Sequence, residues 1–89
     1  MIGKLIGKVV ERQLDGSVIF EVGGVGYEVF VPLGSLGRLG DDQCALYVHT
    51  HVREDALVLY GFETYEDKHA FRSLLGVSSI GPKLSAKKN

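Results

Sequence analysis

Two adjacent acids, Glu54 and Asp55, interrupt an otherwise apolar stretch in VREDALVLYG. Paired carboxylates do general acid–base work when they face each other across a cleft. Neighbours on a turn diverge instead, so this pair reads as a charged tip between two strands, with Arg53 beside it. His49 and His51 alternate along one strand face and offer half of a metal site. Zinc takes at least three protein ligands. Cys44 lies five residues before His49 and His69 falls in a helical stretch. No metal ligand set is expected, and the two imidazoles read as the polar outer face of a strand. Cys44, the serines and the histidines come without a strained-turn nucleophile or a base with its orienting partner. No catalytic residue is assigned.

Gly23-Gly24-Val25-Gly26 could suggest a phosphate cradle, but a dinucleotide fingerprint needs a helix opening directly behind its glycines. The β-prone stretch Tyr27 to Val31 follows instead, so the glycines read as a turn between strands and no cofactor is expected. Ser79-Ile80-Gly81-Pro82-Lys83 is more informative. A tight turn between two helices presents backbone N–H groups at a helix N-terminus, which suits a phosphate, and Lys83 adds charge. A plain helix–helix connection is the alternative.

The elements that carry these residues follow from periodicity. Ile2 to Gln13 is one long β-prone run in which Lys4, Ile6, Lys8 and Val10 share a face, and Gly3 and Gly7 suggest bulges or a sharp bend. Asp15-Gly16 signals a turn, and Ser17 to Val22 and Tyr27 to Val31 are further strands. Pro32 to Gly40 is a loop with room for a short helical turn. In Cys44 to Val52, Leu46, Val48, Thr50 and Val52 share one face and Tyr47, His49 and His51 the other; Ala56 to Gly61 is the last strand. Short turns and internal glycines favour closure into a small barrel, which leaves few exposed edges. A five-stranded OB-type barrel is the first candidate, and an SH3-like barrel fits the same spacing. From Thr64 the period becomes helical: Thr64 is a cap with Asp67 three residues on, Phe71, Leu74 and Leu75 share a face, and Gly76 is a stop. Pro82 suits the first turn of a second helix that has scarcely begun at Asn89.

Composition sets the frame. At 89 residues the chain makes one small domain with a short appendage. No apolar run approaches the ~20 residues of a membrane span. MIGKLIGKVV alternates too strongly for a secretory leader, and the one cysteine excludes an internal disulfide and fits a reducing compartment. A cytoplasmic location with no membrane partner is expected. The net charge of −1 divides unevenly: −4 over residues 1–63 and +3 over residues 64–89. An acidic body with a basic C-terminal end suggests two functional surfaces.

The blocks MIGKLIGKVV, EVGGVGYEV, THVREDALVLYGF and LLGVSSIGPKLS, in that order, resemble the N-terminal part of the RuvA family. Its members are the Holliday-junction-binding subunits of the bacterial RuvAB branch-migration complex. The resemblance covers residues 1–86. It implies a mainly β fold: a five-stranded OB-type barrel over residues 1–63, then the start of a helix–hairpin–helix domain over residues 64–89. Ser79, Ile80, Gly81 and Lys83 would form the first phosphate-binding hairpin. The family usually has Gly-Val-Gly there, and Ser79 would carry a strain at positive φ that glycine does not. The family's second hairpin, and its domain that engages the RuvB motor, are expected to lie outside this chain. The ending SAKKN departs from the apolar helix with which the family continues.

The resemblance also implies a role. Glu54 and Asp55 match the family's acidic pin. Four copies in a homotetramer with fourfold symmetry would bring the tips together at the crossover of four-way junction DNA. The subunit would be non-catalytic within an ATP-dependent branch-migration helicase complex, with the RuvB AAA+ motor and the RuvC resolvase as partners. The setting would be recombination, repair and the SOS response to DNA damage. Two other readings fit the residues: a generic OB-fold binder of single-stranded nucleic acid, using Tyr27, Tyr47, Tyr60 and Phe62, or a structural and oligomerisation module. Arg53 either partly neutralises the tip or contacts a phosphate.

Overall fold

A computed structural model describes residues 1–76. The hairpin expected at Ser79 to Lys83 lies outside them. Strands β1 (Lys4–Arg12), β2 (Ser17–Val22) and β3 (Val25–Phe30) are followed by helix α1 (Leu33–Arg38), strands β4 (Cys44–Val52) and β5 (Leu57–Phe62), and helix α2 (Tyr65–Leu74). The strands close into a barrel in the order β1-β2-β3-β5-β4, with β4 returning to β1. All neighbours are antiparallel except β3 and β5. This is the OB-type barrel, with α1 occupying the loop between β3 and β4.

Closure depends on β1 serving two neighbours. Its first half pairs with β4, from Lys4 opposite Tyr47 to Gly7 opposite Cys44. Its second half pairs with β2, and the register slips between Val9 and Glu11. One extra residue at Val10 bends the strand and raises its twist, as barrel corners require. The bulge therefore falls at Val10, not at the glycines that suggested one. Gly7 serves a different purpose, because a Cβ there would overlap the Glu21 carbonyl oxygen of β2. Only glycine lets the two backbones approach so closely at the bend.

The β2–β3 hairpin turns on Gly23 and Gly24, with φ of 57° and 89°. Two consecutive positive φ values in a two-residue loop match the right-handed twist of the flanking strands. The β1–β2 turn is held by Asp15, whose Oδ1 accepts from the Ser17 N–H at 3.0 Å and the Ser17 hydroxyl at 2.6 Å. Those bonds hold its carboxyl below the usual range.

Alternating residues fill the interior: Leu5 and Val9 from β1, Val18 and Phe20 from β2, Val29 from β3, Leu46 and Val48 from β4, and Leu59 from β5. Thr50 also points inward and stays satisfied. Its hydroxyl accepts from the Ile2 N–H at 3.1 Å and donates to the Ile2 carbonyl at 2.6 Å, which fastens the N-terminus to β4.

Helix α2 starts where the sequence marks it. The Thr64 side chain accepts from the Asp67 N–H at 3.1 Å. Gly76, with φ 79°, donates to the Ser73 carbonyl at 3.0 Å and ends the turn. The helix lies against β4 and β5 through Phe71, whose ring is 5.0 Å from Phe62 and 5.1 Å from Tyr60. Leu74 and Leu75, expected on the same face, remain 87% and 47% exposed.

Candidate nucleic-acid interface

The acidic tip sits on a regular hairpin. Strands β4 and β5 stay in register from Tyr47–Phe62 to Val52–Leu57, and the Arg53 N–H donates to the Ala56 carbonyl at 2.8 Å. Arg53, Glu54, Asp55 and Ala56 are all exposed. Glu54 and Asp55 have no ion-pair partner among the described residues, and Arg53 pairs with neither. The tip thus presents two uncompensated carboxylates on a support anchored in the core by Leu46, Val48 and Leu59. Its chemistry is repulsion of anions: about 1 kcal/mol for two unit charges 4 Å apart in water, and more where solvent is excluded. Below the tip, the cross-strand partners Val52 and Leu57 leave 62% and 60% of their surfaces open. An exposed aliphatic pair under a charged tip suits burial against another surface.

The face carrying His49 and His51 corrects the expectation of a polar, solvated strand face. Helix α2 covers it. His49 is 6% exposed, opposite Tyr60 and 5.7 Å from the Phe71 ring. Arg72 Nη1 donates to His49 Nδ1 at 3.3 Å, which fixes the tautomer protonated on Nε2. Burial, and then the charge of Arg72, hold the imidazole below its ordinary range. The histidine is therefore a packed, neutral hydrogen-bond acceptor. Among the described residues no three His, Cys, Asp or Glu side chains gather as a metal site would require. Burial, and then Glu63, raise the Cys44 thiol, which makes it a poor nucleophile.

The aromatic residues considered for base stacking are mostly spent on packing. Tyr60 and Phe62 lie against Phe71, and Tyr27 packs against the core. Only Tyr47 keeps an outward role, with its ring edge-on to Tyr65 at 6.1 Å. Sequence periodicity missed this covered face because it is silent on where a helix docks. The signal it did contain is Phe71 spaced to meet outward aromatics at Tyr60 and Phe62.

The RuvA N terminal domain family matches residues 1–61, from the N-terminus through β5. The chain belongs to the RuvA N-terminal domain family. Proteins named Holliday junction branch migration complex subunit RuvA are similar across nearly all of it. The one from Legionella pneumophila (strain Corby) is 42% identical over 87 residues, covering 96% of this chain and 44% of its own length. That of Bdellovibrio bacteriovorus is 47% identical over 89 residues, with shares of 96% and 44%. That of Syntrophotalea carbinolica is 48% identical over 86 residues, with shares of 96% and 43%. The chain thus spans less than half the length of these RuvA proteins. Within this barrel, the candidate site residues among those described are the Glu54–Asp55 tip and the apolar pair beneath it.

Proposed function

We propose that this chain is the N-terminal portion of a branch-migration subunit that binds four-way junction DNA by structure and not by base sequence. The observation that carries the reading is the uncompensated Glu54–Asp55 pair at the exposed tip of a rigid hairpin, in a chain of the RuvA N-terminal family. In a fourfold assembly four such tips meet at one axis and repel the phosphates nearest the crossover. Attraction then acts further out, through backbone N–H groups of Ser79, Ile80 and Gly81 and the charge of Lys83. Repulsion at the centre with attraction at the arms favours separated arms over stacked ones. The subunit itself is non-catalytic, works beside an ATP-driven motor of the RuvB kind, and acts in the cytoplasm in recombination and repair.

The exposed Val52–Leu57 pair supports self-association in particular. Neighbouring tips meeting at an axis would cover it. A gel-shift comparison of four-way junction, duplex and single strand, with a salt titration, tests the binding. Preference for the junction supports the proposal. Preference for single strands supports the generic OB binder, and no binding supports the oligomerisation module.

A further inference from the structure

Of the seven Lys and Arg among the described residues, two are in ion pairs, Lys8 and Arg53 stand apart, and three gather together. Arg12 pairs with Asp41 at 3.4 Å and Arg38 with Glu63 at 2.9 Å. Lys4, Lys68 and Arg72 have no carboxylate partner among the described residues, yet they gather on one seam where the start of β1, the outer face of β4 and helix α2 meet. Lys4 Nζ sits 4.9 Å above the Tyr47 ring. Tyr47 meets Tyr65 edge-on, and Tyr65 stacks on His69 with centroids 6.2 Å apart. Lys68 Nζ reaches back to donate to the Gly3 carbonyl at 3.3 Å. Tyr65, Lys68, His69 and Arg72 line an open hollow of about 270 Å³.

Like charges four residues apart on a helix are unfavourable, and Lys68 and Arg72 stand in that relation. Burial, and then Arg72, lower the Lys68 ammonium from its ordinary range. The acid nearest in sequence to relieve them, Asp67, lines a different hollow with Arg38, Ala70 and Leu74. Positive potential therefore builds up along the seam with tyrosine hydroxyls and ring edges beside it. Lys, Arg and Tyr side chains are among the groups that contact nucleic-acid phosphates.

We propose that Lys4, Lys68 and Arg72, with Tyr47 and Tyr65, form a phosphodiester-binding site on the barrel–helix seam, made of residues other than those of the Ser79–Lys83 segment. The inference rests on the DNA-binding reading above. The seam lies back from the tip along β4. Tyr47 lies five residues before Val52, about 17 Å at ~3.4 Å per strand residue. One nucleic-acid strand advances about the same distance over five phosphates. A duplex arm leaving the repulsive tip along β4 would meet attraction at the seam.

The test uses the 89-residue chain, a four-way junction, and affinity measured across a salt series. Each lost phosphate contact lowers the slope of log affinity against log salt by about 0.9, which is roughly an eightfold loss at 0.1 M salt. Lys4→Gln with Lys68→Gln should lower the slope by nearly two such steps and the affinity by about 50-fold. Lys8→Gln, on the same strand face but opposite Glu21, should change neither by more than about twofold. Tyr65→Glu places an acid at an exposed ring without touching the Gly3 contact. It should weaken binding as well, and it keeps the test decisive if the double variant melts early. Junction binding with an unchanged slope in both seam variants overturns the seam site alone. Absence of binding by the unaltered chain overturns the seam site and the DNA-binding reading together.

Discussion

Arg72 Nη1 donates to His49 Nδ1 across 3.3 Å, and this contact joins helix α2 to the outer face of β4. The acceptor exists only while the imidazole is neutral. The other ring nitrogen, Nε2, is buried without a hydrogen-bond partner among the described residues. The charged groups that face His49 are Arg72, His51 and Lys68, and each disfavours protonation.

Acid should therefore loosen the helix before it unfolds the barrel. The folded pKa of His49 lies below its unfolded value of about 6.5, so the unfolded chain takes up the proton first. The stability tied to neutral His49 is complete above that value and declines as pH falls below it, by up to about 1.4 kcal/mol per unit for one proton. Thermal unfolding followed by tyrosine fluorescence from pH 8 to 5 should show a plateau and then a decline. His49→Phe keeps an aromatic ring beside Phe71 and should flatten the decline. An equal decline in that variant would assign the pH dependence to another group.

Glycine substitutions should separate close approach from turn geometry. Gly7→Ala drives a Cβ into the Glu21 carbonyl, a backbone atom that cannot swing aside. We expect a loss of about 3 kcal/mol or more, enough to unfold much of a domain this small. Gly23→Ala meets open space and bears only the cost of φ 57° for a residue with a side chain. That is about 1–2 kcal/mol. Urea midpoints for the two variants should differ in that order, and a milder effect at Gly7 would contradict the close contact.

Helix α2 should be separable from the barrel. Thr64→Ala removes the acceptor for the Asp67 N–H and should cost about 1 kcal/mol of helix stability. Phe71→Ala removes the ring that contacts His49, Tyr60 and Phe62. It should cost about 2–3 kcal/mol, toward the low end for aromatic truncation because Phe71 is only half-buried. Hydrogen exchange should accelerate across Tyr65–Leu74 in both variants and stay slow at Phe20 and Leu46. Uniform acceleration would mean that helix and barrel unfold as one unit.

The barrel was legible in the sequence because half-buried strands alternate: Leu46, Val48 and Thr50 against Tyr47, His49 and His51. Gly23-Gly24 and Thr64 announced their turn and cap for local reasons, since positive φ and an orphan N–H are properties of a few residues. Contacts between distant segments carried no such signature. Nothing local distinguishes the bulge at Val10, and Gly7 looked like a bulge although it is there to let the Glu21 carbonyl of β2 come close. His49 looked solvated because the helix that buries it begins only at Tyr65. The acidic tip was found by type and position, and the role proposed for it came from the order of the blocks around it.

The tip yields the last prediction. Glu54 and Asp55 form no ion pair among the described residues, so neutralising them should not disturb the hairpin, whose register rests on the β4–β5 ladder and the Arg53–Ala56 bond. Glu54→Gln with Asp55→Asn, in a protein of the family's full length, should leave junction affinity unchanged or raise it, because two repulsive charges per subunit are gone. In the proposed fourfold assembly, repetition would make the sum matter although each term is modest in water. The open square geometry should suffer instead, visible as closer arms by fluorescence transfer between labelled duplex ends and as altered branch migration. Salt provides the control. Screening weakens the tip's repulsion and the arms' attraction together, so the gap between unaltered and neutralised protein should narrow as salt rises. A large loss of junction affinity on neutralisation would mean that the acids hold the DNA and do not push it apart.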